Sequence, residues 1–181
     1  MAASEFLLTN GATPATPASG KTKLFINASK KLSTVDDAGL VSDALTGDAQ
    51  SQAQPADPTG TANTTGLMMG LAGTITPAQT GRVLIVISGD VQNNTISDGA
   101  KFQIRYGTGS APANAAALTG TTAGALVNML GAAAAQRVPF SLNAVVTGLT
   151  PGTAYWIDVG LAAVTGGTAA IKNVSVSVIE F

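Results

Sequence analysis

Ten carboxylates are the groups from which this chain could build acid–base chemistry: Glu5, Asp36, Asp37, Asp43, Asp48, Asp57, Asp90, Asp98, Asp158 and Glu180. Histidine and cysteine are both absent. Their absence removes the side chain that titrates near neutrality, the thiolate nucleophile and the soft metal ligands. Any catalysis would rest on carboxylates, lysine or tyrosine. Two carboxylates facing each other across a cleft could hydrolyse a glycosidic bond. Most of these acids stand instead beside Gly, Asn or Pro, where turns are expected, and no cluster of aromatic residues marks a sugar cleft near them. Turn and solvation roles are the favoured reading.

Two further patterns carry less chemistry than they suggest. Asp36-Asp37-Ala38-Gly39 lacks the regular series of oxygen ligands and the closing Glu of a calcium loop. Tyr106-Gly107-Thr108-Gly109-Ser110 has the glycines of a phosphate-binding loop, but no Lys-Ser/Thr follows and no βαβ unit surrounds it. It reads as a loop between strands. No catalytic residue, cofactor or metal is expected, and the chain reads as non-enzymatic.

The elements that position these residues must be held with few charges. Charged residues make up 10% of the 181 positions and the net charge is −1, where an average soluble domain carries about 25% charged residues. Mean hydropathy is +0.32. A surface so weakly charged does little to repel other copies of itself, which points to obligate oligomerisation. The nine basic residues are scattered and form no stripe, so neither nucleic acid nor an anionic membrane is expected as a partner. The first residues, Met1-Ala-Ala-Ser-Glu-Phe-Leu-Leu, lack the basic and long apolar stretches of a secretory signal, and no run approaches the ~20 apolar residues of a membrane-crossing helix. Synthesis in a cytoplasm without an encoded export signal is the expectation.

Along the chain, three segments differ in character. Residues 1–45 comprise an arm, ending in Thr13-Pro14-Ala15-Thr16-Pro17-Ala18-Ser19-Gly20, whose prolines favour extended backbone. Short β-prone runs around Lys21-Thr22-Lys23-Leu24-Phe25-Ile26-Asn27 and Leu32-Ser33-Thr34-Val35 follow and predict a hairpin or small meander. Such a piece is too small to be stable alone. Residues 46–66 are poor in apolar periodicity and read as linker. Residues 67–181 then read as strands near 67–75, 82–91, 101–106, 125–130, 136–146, 153–164 and 169–181. Their spacing of about ten residues predicts an all-β antiparallel sandwich or jelly roll. The alanine-rich stretches 111–117 and 132–135 could form short helical turns.

Two strands can be oriented from their pattern. Arg82-Val83-Leu84-Ile85-Val86-Ile87 is continuously apolar after its first residue, as a strand buried on both faces would be. In Lys101-Phe102-Gln103-Ile104-Arg105-Tyr106 the apolar residues alternate with polar ones, so one face should be solvated. In Leu149-Thr150-Pro151-Gly152-Thr153-Ala154-Tyr155-Trp156, Pro-Gly fits a type II turn. Leu149 and Tyr155 would flank a corner between sheets in the manner of a tyrosine corner. Trp156 could be a stacking platform for a sugar or base, but a core or subunit-interface anchor is the favoured reading.

Several of these stretches together resemble the structural proteins of tailed bacteriophages, of the head-fibre, decoration and tail types. They are Gly73-Thr74-Ile75-Thr76-Pro77, Thr80 to Gly89, Tyr106-Gly107-Thr108-Gly109, the Leu149 to Tyr155 corner and Asn173-Val174-Ser175-Val176-Ser177-Val178-Ile179-Glu180. The segment Ala18-Ser19-Gly20-Lys21-Thr22-Lys23-Leu24-Phe25-Ile26-Asn27 is similar to one near the start of phage fibre and decoration proteins. The C-terminal pattern also resembles tumour-necrosis-factor-like jelly rolls, and the corner resembles that of fibronectin type III domains. These resemblances imply a homotrimer on a virion surface and supply no catalytic residues.

The expectation is therefore a capsid decoration protein or head fibre, bound to the major capsid protein or another virion protein through its N-terminal segment and trimerising through residues 67–181. Phe6, Leu7, Leu8, Leu24, Phe25 and Ile26 are the candidate attachment residues. Val83, Ile85, Ile87, Tyr155, Trp156 and Phe181 are expected in the core or at the trimer interface. The alternative is a tail or baseplate fibre that binds a host surface glycan through exposed Trp156 or Tyr106.

Overall fold

A computed structural model describes residues 12–27, 32–39, 41–43 and 49–181. The chain divides into two compact units, Met1–Gly47 and Asp48–Phe181. Every regular element among the described residues is a β-strand, and the alanine-rich stretches near 111–117 and 132–135 form turns and an isolated bridge instead of helix.

In the first unit, β1 (Lys23–Ile26), β2 (Leu32–Val35) and β3 (Val41–Asp43) form an antiparallel meander. It has one strand more than a hairpin. The proline-bearing segment before it is tied down locally. Lys23 Nζ donates to the Ala15 carbonyl at 2.8 Å, the Gly20 amide donates to Asp37 Oδ2 at 2.7 Å, and Pro17 is buried. Asp36 closes its turn by accepting from the Ala38 amide at 3.0 Å, so this acidic pair does turn work, as short Asp side chains do.

The second unit is a sandwich of two antiparallel sheets. Its strands are β4 (Gln50–Ala53), β5 (Leu67–Met68), β6 (Gly73–Ile75), β7 (Val83–Asn93), β8 (Gly99–Thr108), β9 (Thr121–Leu130), β10 (Val138–Val146), β11 (Tyr155–Ala163) and β12 (Ala169–Glu180). One sheet runs β10-β7-β12-β4; the other runs β5-β11-β8-β9, with β6 also paired to β11. Inward-facing apolar residues from both sheets form one core, in which Phe102 of β8 meets Phe140 of β10 edge to face with ring centroids 4.9 Å apart. Aromatic pairs favour this geometry because the positive ring edge meets the negative face.

Residues 46–66 are not simply linker. Gln50 to Ala53 pair with Ile179 to Val176, and Thr61 bridges to Ala169. An edge strand makes a ladder on one side only and buries little side chain, so a sequence as polar as Gln-Ser-Gln-Ala suffices. The strand β7 also departs from expectation on one face. Val83, Ile85 and Ile87 are buried in the core, whereas Leu84 and Val86 of the opposite parity are only half-buried. β8 behaves as its alternation predicts, with Phe102 and Ile104 inside and Lys101, Gln103 and Arg105 on the outer face.

Candidate functional site

Three of the acids that read as solvated turn residues are buried, and each holds a loop. Glu180 at the end of β12 receives the amides of Ala49, Ala78, Gln79, Thr80 and Gly81 at 2.6–3.2 Å, together with the Thr80 hydroxyl. Burial opposes its charge. The amides overcome burial and hold the carboxyl down at about 2, as multiple hydrogen bonds to a carboxylate do. This cradle fixes the connection from β6 to β7.

Asp98 receives the amides of Gly99, Thr165 and Gly166 and the Thr165 hydroxyl at 2.6–3.1 Å. Burial again opposes the charge, and the hydrogen bonds keep the carboxyl below its usual range. The neighbouring Asn93 amide donates to the carbonyls of Gly99 and Gly166. Together they join the β7–β8 and β11–β12 connections, both of which cross between the sheets. Asp158 on β11 accepts from the amides of Gly70, Leu71 and Val159 at 2.7–3.0 Å. Here burial dominates and pushes the carboxyl up.

Among the described residues no cluster of acids is arranged to hold a metal ion, and these three carboxylates are each engaged by a different set of loop amides. Their placement accounts for acids in a chain so poor in charge. They satisfy backbone donors that would otherwise be buried without partners.

The Pro151-Gly152 corner forms as its sequence predicts. Thr153 N donates to the Thr150 carbonyl at 3.2 Å, Gly152 has φ of 79°, and the Tyr155 hydroxyl accepts from the Thr150 amide at 3.0 Å. The corner carries the chain from β10 in one sheet to β11 in the other. Trp156 is 5% exposed, and its indole nitrogen donates to the Thr108 carbonyl at 3.1 Å. It lies on the outward side of β11, seated against Gly107 and Gly120. The ring is consumed by this seat and offers no open stacking platform. Tyr106 is half-buried beside Tyr155, with ring centroids 6.4 Å apart.

The candidate attachment residues separate. Phe6, Leu7 and Leu8 lie outside the described residues. Phe25 is buried, whereas Leu24 is 47% exposed and Ile26 is half-buried. Through the register Leu24 to Thr34 and Ile26 to Leu32, these two share one meander face with Leu32, opposite the face of Phe25 and Ser33. Of the candidate interface residues, Val83, Ile85 and Ile87 fill the core of the sandwich, and Phe181 is 44% exposed beneath the Arg82 guanidinium, 4.9 Å from its ring centroid.

Exposed side chains stand on the outer faces of both sheets of the sandwich. Across the four-stranded sheet, Val145, Leu84 and Ile179 align in one row and Asn143, Val86 and Ser177 in the next. Val145 and Ile179 are about half exposed, and the rows beyond are Ser141, Ser88 and Ser175. No charge lies in these rows. On the other sheet, a groove follows the outward side of β8 and β11, with Leu118 and the segment Thr64 to Gly66 on one side and Leu126 of β9 on the other.

Among the described residues no helix is long and apolar enough to cross a membrane. Searches of protein-family models and of curated proteins find no match for this chain.

Proposed function

We propose that this chain is a bacteriophage virion structural protein, a capsid decoration protein or head fibre, in which the first unit attaches to the particle and the sandwich oligomerises. The resemblance in sequence supplies the virion setting. The observation that carries the mechanical part is the uncharged row Val145–Leu84–Ile179 on the outer face of the four-stranded sheet. Exposed apolar rows on a regular sheet face are costly for a monomer and are stabilised when a second copy covers them.

Attachment through the first unit follows a similar argument. Leu24, Ile26 and Leu32 share the face of the meander opposite Phe25 and Ser33, and Leu24 is 47% exposed there. Docking that face on a partner would take Leu24, Ile26 and Leu32 out of water. If several copies are joined through the sandwich, their attachment units bind the particle together and avidity multiplies a weak single contact.

Light scattering gives the mass in solution, and particles stripped of their accessory proteins provide the binding target. A trimer that returns to the capsid lattice is the expected result. A monomer that binds no part of the particle would overturn the proposal, and rebinding confined to the tail would replace it with the receptor-binding fibre.

A further inference from the structure

The groove on the outer face of the five-stranded sheet has a lining that combines cations, apolar walls and hydrogen-bonding groups. Its volume is about 140 Å³, and its lining contains Lys101, Gln103 and Arg105 with no carboxylate. In a chain with nine basic residues among 181, two on alternate positions of one strand face are a local concentration of positive charge.

Each of the three long side chains is anchored at the rim. Lys101 Nζ donates to the Thr64 carbonyl at 3.3 Å, Gln103 Nε2 to the Gly124 carbonyl at 2.7 Å, and Arg105 Nη1 to the Thr119 carbonyl at 3.1 Å. Neither cation is in an ion pair among the described residues; the acid cross-strand from Arg105 is Asp158, whose oxygens accept from loop amides. An ammonium has three donors and a guanidinium five, so both retain donors beyond these anchors.

The floor is made by a glycine. A Cβ at Gly160 would stand 2.8 Å from Leu118 Cδ2 and 3.1 Å from Arg105 Nε, so its absence lets the Arg105 side chain and the leucine lie across β11. Leu126 closes the opposite wall and is 60% exposed. We infer that this groove binds a carboxylate-bearing sugar, a hexuronate or sialate unit of an acidic polysaccharide. The carboxylate would meet Arg105 and Lys101, the apolar ring face would lie on Leu118 and Leu126, and ring hydroxyls would meet Gln103 and the Thr64–Thr65 segment. A neutral sugar would leave the two cations without a counter-charge, and a bare anion would leave both leucine walls wet. The inference does not depend on the virion assignment.

Amide chemical shifts of the isotope-labelled full-length protein, titrated separately with sodium glucuronate, glucose and sodium acetate, test it. Glucuronate is expected to produce saturable shifts confined to residues near 64–66, 101–105 and 160–162, with glucose inert and acetate at least tenfold weaker. Arg105→Gln should weaken glucuronate binding by about tenfold or more, the scale of a lost charge-assisted hydrogen bond. Leu126→Glu, an exposed substitution that does not touch the core, should weaken it by repulsion and serves if the arginine variant misfolds. Absence of saturable shifts, equal response to glucose or acetate, or unchanged affinity in the Leu126→Glu variant would overturn the assignment.

Discussion

The indole of Trp156 lies so close to Gly107 that a Cβ on that glycine would stand 2.6 Å from Cζ2. Gly120 approaches the same ring from the bend just before β9, where a Cβ would be 2.3 Å from Cη2. These two glycines explain how a tryptophan on the outward side of a sheet becomes buried. Gly107→Ala tests the seat with a single methyl and no positive φ to confound it. Overpacking of this kind costs about 1–3 kcal/mol. The unfolding free energy should fall by that amount, seen as a lower urea midpoint at unchanged slope, and tryptophan emission should shift to the red as the ring is displaced toward water.

Glu180 and Asp158 respond to acid in opposite directions. The folded carboxyl of Glu180 lies at about 2, below its ordinary 4.5, so the stability it contributes is complete above about 4.5 and is lost as pH falls toward 2. Asp158, raised by burial, binds its proton more tightly when folded, so its contribution declines as pH rises through its folded value. Glu180→Gln retains one oxygen for the amides and turns an NH₂ toward the others. A loss of about 1–3 kcal/mol at neutral pH is expected, with a flatter stability profile between pH 4.5 and 2. Denaturant unfolding at several pH values measures both, and an unchanged acid profile in the variant would refute the cradle's role.

The amides that hold Glu180 show what the sequence does not display. The donors at Ala78 to Gly81 lie about a hundred residues away in the chain, and a lone Glu before a terminal Phe carries no mark of them. β4 is hidden for a different reason, since Gln50 to Ala53 join the sheet through backbone bonds that any non-proline residue can make. Where side chains decide the structure, the sequence is readable. The alternation of Phe102, Ile104 and Tyr106 orients β8, and Pro151-Gly152 followed by Tyr155 marks the corner. The groove at Lys101 and Arg105 falls between these cases: the cations are visible as the polar face of β8, but the Gly160 floor comes from β11, the Leu126 wall from β9 and the Leu118 wall from the loop before β9, and they meet only when the sheet is assembled.

Tyr155 and Thr150 provide a measure of the corner's worth. Tyr155→Phe removes the acceptor of the Thr150 amide and leaves the ring packing intact. That should cost about 0.5–1.5 kcal/mol. Gly152→Ala should cost about 1–2 kcal/mol, because its φ of 79° is unfavourable once a Cβ is present. The two residues share one turn, so the double variant should fall short of the sum of the two losses; full additivity in thermal or urea unfolding would mean that the hydroxyl and the turn act independently.

Under the proposed function, the parity of β7 separates folding from assembly. Ile85 is 1% exposed and faces the core, while Leu84, one residue earlier, faces outward in a row with Val145 and Ile179. Ile85→Asp would bury an unpaired charge and should unfold the sandwich, because that cost exceeds what a marginally stable domain can absorb. Ile179→Asp puts the same charge on the outer face, 49% exposed, where water solvates it in a monomer but a neighbouring copy would desolvate it. The expected product is a folded monomer with unchanged circular dichroism and a lower mass by light scattering. An Ile179→Asp protein that keeps its oligomeric mass would show that copies meet elsewhere and would remove the four-stranded face from the assembly.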